Sequence, residues 1–326
     1  MKPLKNGIFL LCLSNLFFGL LPVTVKWADG LGYSSVQVTF FRFAFATTGI
    51  LLLAALGWQK LRIVNFRALF WRGFFGGGTV ICYFLALHWT TVAEATLLNY
   101  TYSLWANIFS VLLLRQKAPK GLAILLVMAA LGVWLVLGTP IPFLSGIGAI
   151  MAHPSTCCLG AEALFDHLNK GDLAGFLSGI MGGAGVLCAK EARRTDNALS
   201  VFGSFTFFGL LISAFLLAGG GTLFGTDPQL THWTTLEGKG LAVLCAMGAL
   251  AMAAQLFYTQ GMGLASLAMV TLLAQAVPVL AALGGWFILG EPLTPHFILG
   301  SILVLTACLL LGAQEGKVTK GGRWTS

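Results

Sequence analysis

Charge is what this sequence has least of. Asp, Glu, Lys and Arg make up 9% of its 326 residues, against about 25% in a soluble domain. With 57% hydrophobic residues and a mean hydropathy of +0.88, the chain cannot cover a folded body with water-compatible surface. A soluble globular fold is excluded, and lipid must cover most of the molecule. Catalytic patterns are also missing. Without a G-x-x-x-x-G-K-[ST] stretch there is no phosphate-cradling loop and hence no ATPase, and neither H-E-x-x-H nor G-x-S-x-G is present. The seven cysteines contain no C-x-x-C and no Cys/His spacing suited to zinc. Most fall mid-helix, where a thiol behaves as a small apolar group. Cys157 and Cys158, adjacent to one another, are the exception and allow redox chemistry. No metal and no cofactor is expected.

What is present is apolar runs. A hydrocarbon core about 30 Å thick takes about 20 residues of helix, and ten runs of that kind are predicted: 7–27, 35–57, 69–89, 91–114, 119–138, 172–192, 197–218, 239–260, 265–289 and 295–313. The first resembles a signal peptide after Lys2 and Lys5. It is too long for one, lacks a small-residue cleavage site and is followed by further spans, so it is expected to be the first helix.

The net charge of +8 is explained by topology. With both termini inside, the cytoplasmic segments hold all the Lys and Arg except Lys26, Arg42, Lys170 and Lys239, as the positive-inside rule requires. Arg72 is counted among those cytoplasmic charges. Nucleic acid is not needed to account for the basic balance. Residues 139–171 break the rhythm: "IPFLSGIGAIMAH" is too short to span and is followed by Pro154, Glu162, Asp166, His167 and Lys170. An external connection with an interfacial or re-entrant segment is expected. An eleventh span at 143–165 would instead put Lys190, Arg193 and Arg194 outside.

Either side of this connection the chain looks repeated. "LLRQKAPKGLAILLVMAALGVWLVLG" (113–138) and "LGEPLTPHFILGSILVLTACLLLG" (289–312) share a span–turn–span layout, with Pro119 and Pro295 in matching places. The first turn is basic and the second carries Glu291. Five spans per half is an odd number, so a second copy enters the membrane upside down and equivalent turns face opposite compartments. The expected fold is therefore an all-α membrane protein of ten transmembrane helices in two inverted five-helix repeats, 1–138 and 172–313, followed by a cytoplasmic tail, 314–326. The halves, the "AEATLLNY" entry to the fourth helix and the "LGEPLTP" turn resemble the EamA family of the drug/metabolite transporter superfamily. The segment 93–138 is most similar to its amino-acid-exporting branch. That resemblance implies a secondary transporter of the inner membrane that exports a small metabolite such as an amino acid.

Inside "TLLNYTYSLWANIFS" (96–110), Thr96, Asn99, Ser103, Asn107 and Ser110 recur every three or four residues. At about 100° per residue they share one sector of roughly 80°, so they face protein or a water-filled cavity rather than lipid. Small and amide residues also serve as helix contacts in membranes. Asn99, flanked by Tyr100 and Tyr102, is the cavity candidate of the five. Arg42, about 10 Å into the second span, and Glu94, at the start of the fourth, are expected at similar depth, either as an ion pair or as joint lining of an outer vestibule. The second half offers Gln255 and Tyr258, and Gln275 with the helix-kinking Pro278, where Gln275 is expected to mirror Asn99. Asn15 and Tyr83 complete the expected substrate-binding set. The glycines at 76–78 are expected to permit close packing. Partners are then a small-molecule substrate and the bilayer, with no nucleic acid; a homodimer stays open. The rival readings are a membrane enzyme using His153, Glu162, Asp166 and His167, and a non-transporting scaffold of the same fold.

Overall fold

The computed structural model describes residues 2–114, 122–136, 169–223 and 232–321, and the regular structure among them is helical throughout. In chain order the helices are α1 (Lys2–Gly30), α2 (Ser35–Ala55), α3 (Phe66–Trp89), α4 (Val92–Tyr100), α5 (Tyr102–Leu114), α6 (Leu122–Val136), α7 (Lys170–Ala192), α8 (Ala198–Leu223), α9 (Gly238–Leu264), α10 (Leu267–Ala274), α11 (Ala276–Leu289) and α12 (Pro295–Gly321). Seven stretches are long and apolar enough to cross a membrane, with Pro295–Leu310 a shorter apolar helix. Seven of the ten expected spans coincide with those stretches. The turn at 115–121 and most of the connection, 139–168, lie outside the described residues, together with Cys157, Cys158, His153, Glu162, Asp166 and His167.

Local chemistry sets the helix ends. Ser34, Asn65, Thr91 and Ser266 each accept a backbone N–H of the first turn with their side chains, satisfying donors that have no partner within the helix. Gly290, at φ 69°, ends α11 in the left-handed region that costs glycine nothing. Two of the expected continuous spans are broken. The run 91–114 splits at Thr101, whose hydroxyl donates to Leu98 O at 2.7 Å. The run 265–289 splits at Gln275. There Pro278 offers no N–H to the carbonyl four residues back and its ring crowds that turn.

The helices of one half pack largely on those of the other: α1 on α9, α3 on α7 and α8, α2 on α8 and α9, α4 and α5 on α7, α1 and α4 on α11, α6 on α12. Glycine makes the closest of these approaches possible. A Cβ at Gly179 of α7 would lie 2.7 Å from Leu98 O, so α7 reaches the broken α4–α5 element only because no side chain is present. Large apolar side chains such as Phe9, Leu112, Phe215 and Phe287 point outward, the arrangement lipid requires.

Two lysines make matching contacts, one in each half of the chain. Lys26, near the end of α1, donates to Leu87 O and Thr90 O at 2.8 and 2.6 Å. Lys190, near the end of α7, donates to Met262 O and Ala265 O at 2.7 and 2.5 Å. Each caps the free carbonyls that end the helix before a broken element. Met262 and Ala265 follow Leu87 and Thr90 at one constant offset, which also aligns Thr96–Leu98 with the identical Thr271–Leu273.

Candidate functional site

A cavity of about 100 Å³ lies between the helices. Asn15 and Phe18 reach it from α1, Arg42 from α2, Arg72, Gly76, Thr79, Val80 and Tyr83 from α3, and Asn99, Tyr100 and Tyr102 from α4 and α5. Gly182, Val186, Phe205, Gln255, Tyr258 and Ala274 close it from the second half. Four of the chain's five tyrosines are therefore in its wall. On α3 the lining residues 72, 76, 79 and 83 are spaced by four, three and four, one face of a helix.

Of the expected site residues, Asn15, Arg42, Tyr83, Asn99, Tyr100, Tyr102, Gln255 and Tyr258 are brought together here. Asn15 Nδ2 donates to Leu273 O at 2.7 Å, which ties the cavity wall to the last turn of α10. Tyr83 Oη shares a 2.7 Å hydrogen bond with Thr96 Oγ1, and Asn99 Nδ2 donates to Ser178 Oγ at 2.9 Å.

The polar stripe divides. All five of its residues are buried, but only Asn99 lines the cavity. Ser103 accepts from Gln275 Nε2 at 2.9 Å, Asn107 Nδ2 donates to Ser103 O at 2.8 Å, and Ser110 donates to Asn107 O at 2.8 Å. Those residues bond one another and a neighbouring helix, the packing use of polar groups in lipid, although Asn107 Oδ1 and Gln275 Oε1 are buried without a partner. Gln275 belongs to this set. It does not mirror Asn99 across the cavity; its neighbour Ala274 occupies the wall instead.

Arg42 and Glu94 do not pair. Arg42 is 4% exposed, with its Cζ 5.2 Å from the Phe84 ring and 5.8 Å from Phe43. Glu94 is the third residue of a capping box: its N–H donates to Thr91 Oγ1 at 3.2 Å, and Thr91 N–H reaches back to its carboxylate at 3.5 Å. The helix N-terminus, which favours negative charge, takes the role expected of the arginine. Glu94 lines a different recess of about 320 Å³, with Lys26, His88, Trp89, Thr90, Thr91, Val136, Asn169 and Asp172. Around it lie a 2.6 Å His88–Asp29 contact and a 3.8 Å Lys26–Glu291 ion pair. Glu291 also accepts from Val92 N at 2.8 Å. Burial pushes the Glu291 carboxyl above its ordinary range, against the lowering effect of Val92 N–H and Lys26.

Arg72 is the functional candidate that sequence reasoning missed. Counted as a cytoplasmic charge, it is instead 6% exposed and in the cavity wall. It lies about 9 Å into α3, and its Cζ is 4.6 Å from the Phe205 ring. Glycines leave room for the guanidinium: a Cβ at Gly76 would be 2.8 Å from Nη1, and one at Gly185 would be 3.3 Å from it. Its face-sharing with Gly76, Thr79 and Tyr83 was the available signal. The glycines at 76–78 do serve packing, since a Cβ at Gly77 would lie 2.9 Å from Gly209 Cα. Among the described residues no group of His, Cys, Asp and Glu could hold a metal.

Multiple apolar helices packed around a small chamber, walled mostly by apolar surface with a few polar groups, make up a multi-pass membrane protein. The chain belongs to the EamA-like transporter family, whose model matches residues 5–138 and again 169–313. It is similar to the pseudopaline exporter CntI of Pseudomonas aeruginosa, 22% identical over 96% of this chain and 98% of that protein. An uncharacterized transporter of Archaeoglobus fulgidus is 25% identical over 95% of this chain and 97% of its own length. Solute carrier family 35 member G1 of Mus musculus is 25% identical over 49% of this chain and 44% of that protein. A solved crystal structure agrees in fold at a TM-score of 0.60 and 16% identity, covering 95% of this chain and 98% of that one. The protein is thus a multi-pass membrane transporter of small molecules.

Proposed function

We propose that the chain exports a small metabolite such as an amino acid across the inner membrane, by alternating access between two inverted five-helix repeats, 1–138 and 172–313. The observation that carries this reading is the composition of the cavity wall: both halves contribute to it, Arg42, Arg72 and Asn99 from the first and Phe205, Gln255 and Tyr258 from the second. A chamber shared by two halves opens to one side or the other when they rock against each other. The lysines support the same reading. Lys26 and Lys190 bind equivalent carbonyls, and with both termini cytoplasmic and ten passes those two latches face opposite compartments. The recess around Glu94 and Asp172 is then the outer mouth. Energy comes from a gradient, and an export direction accords with the exporter among the relatives.

The test is efflux from proteoliposomes loaded with radiolabelled amino acids. Asn99→Ala leaves insertion intact and weakens cargo binding, because losing one partner of a buried polar contact costs about 1–3 kcal/mol, roughly tenfold to a hundredfold in affinity. Unchanged efflux in Asn99→Ala means that the cavity is not the cargo site.

A further inference from the structure

The charge and hydrogen-bonding balance of the cavity is one-sided. Two arginines line it and no carboxylate does. Among the described residues none of the ion pairs involves Arg42 or Arg72, although both side chains are more than nine-tenths buried. Tyr83 and Tyr100 act electrostatically on Arg42, and Tyr258, Cys188 and Tyr102 on Arg72, while the positive charge of Arg72 opposes that of Arg42. Aromatic faces at 4.6–5.8 Å offset part of the cost of burying them, but a ring carries no net charge.

The unmet hydrogen-bonding groups point the same way. On residues of the cavity wall, Arg72 Nε and Gln255 Nε2 are buried without any partner. Arg Nε–H and the Gln amide N–H can only donate. Buried groups left in this way call for a missing partner, and here the partner must be rich in acceptors and negatively charged. The rest of the wall, with Phe18, Leu21, Val80, Val186 and Phe205, is apolar and suits a carbon body.

Building on the transport reading above, we infer that the cargo is a small organic dianion, with its two negative charges taken by Arg42 and Arg72. A neutral amino acid fits poorly, because its ammonium would enter a chamber that already holds two positive charges and no negative one. The compatible cargo has an excess of acid groups over amines, whether they are carboxylates or a phosphate.

The full-length protein in detergent is titrated with glutarate, glutamate, glycerol 3-phosphate, leucine, choline and, as an ionic-strength control, sulfate, and its melting temperature and affinity are read for each. Glutarate or glycerol 3-phosphate should stabilise it most, glutamate less, and leucine and choline not at all; which of the first two binds tighter tells carboxylate from phosphate cargo. Arg42→Gln and Arg72→Gln should each weaken dianion binding roughly tenfold to a hundredfold. A second readout uses the unaltered protein: modification of Arg42 and Arg72 by phenylglyoxal, followed by peptide mass, should slow about tenfold in saturating glutarate. No stabilisation by either dianion, stabilisation by sulfate alone, or no protection of the arginines would overturn the inference. If leucine binds and only Asn99→Ala weakens it, the charge assignment fails and the cavity stands as the cargo site. If dianions bind and no cavity substitution matters, the site itself is misplaced.

Discussion

Arg42 and Glu94 are held by different partners, and that separation decides how their substitutions combine. Arg42 sits against Phe43 and Phe84 beside the cavity, whereas Glu94 caps α4 and faces the other recess. Removing the carboxylate strands no arginine, and removing the arginine strands no carboxylate. The double variant Arg42→Ala/Glu94→Ala should therefore show the sum of the two single effects within about 0.5 kcal/mol, the behaviour of sites that share no partner. Partial recovery in the double variant, measured by denaturation in detergent, would mean that the two charges interact after all. Glu94→Ala alone should lose about 1 kcal/mol, the worth of a capping contact. Arg42→Ala acts differently, because it leaves a gap among aromatic rings and withdraws a positive charge from the chamber.

Two elements depend on contacts that the hydropathy pattern does not announce. The first is α7, whose glycines let it press on the broken α4–α5 segment. In Gly179→Ala the new methyl would meet Leu98 O at 2.7 Å and the Thr101 hydroxyl, neither of which can yield without moving the helix break. A loss of about 1–3 kcal/mol is expected from overpacking of this kind, with cargo binding impaired because Asn99 is part of the same turn. Gly30→Ala, where nothing lies within 4 Å, is the control and should be silent in the same melting experiment. The second is the turn between α7 and α8. Asp196 accepts from Val64 N at 2.7 Å, Asn65 N at 3.0 Å and Thr195 Oγ1 at 2.8 Å, which ties the loop before α3 to that turn. Burial acts to raise its carboxyl, but those donors, with the charge of Arg62, outweigh it and hold the group below the ordinary range. A lowered folded-state value gives stability that is complete above the unfolded carboxylate value, about 4, and is lost as pH falls through the lowered one. Melting temperature should therefore drop on acidification in the native chain, with a flatter acid limb in Asp196→Asn.

At the scale of the whole molecule, the run lengths of apolar residues were enough to locate the seven helices long enough to cross a membrane, because lipid leaves helix as the one economical way to satisfy the backbone. The interruptions were half legible. Pro278 marks the break in the 265–289 run, but Thr101 carries no comparable mark, since its hydroxyl bond to Leu98 is one of several conformations a threonine allows. Arg72 went unseen for a different reason: near a helix end an arginine reads as a membrane-surface charge, and only the packing of α3 against α7 and α8 turns it inward. The gathering of Asn15, Arg42, Tyr83, Asn99 and Tyr258 around one chamber depends on contacts between distant parts of the chain, which no local pattern encodes. That gathering has a practical use. Because four of the five tyrosines surround the chamber while Tyr33 is buried elsewhere, beside Gly240, biosynthetic incorporation of 3-fluorotyrosine turns the protein into its own occupancy gauge. Fluorine NMR of that material should show four resonances that move when cargo enters and one that stays still, an internal standard supplied by the sequence itself.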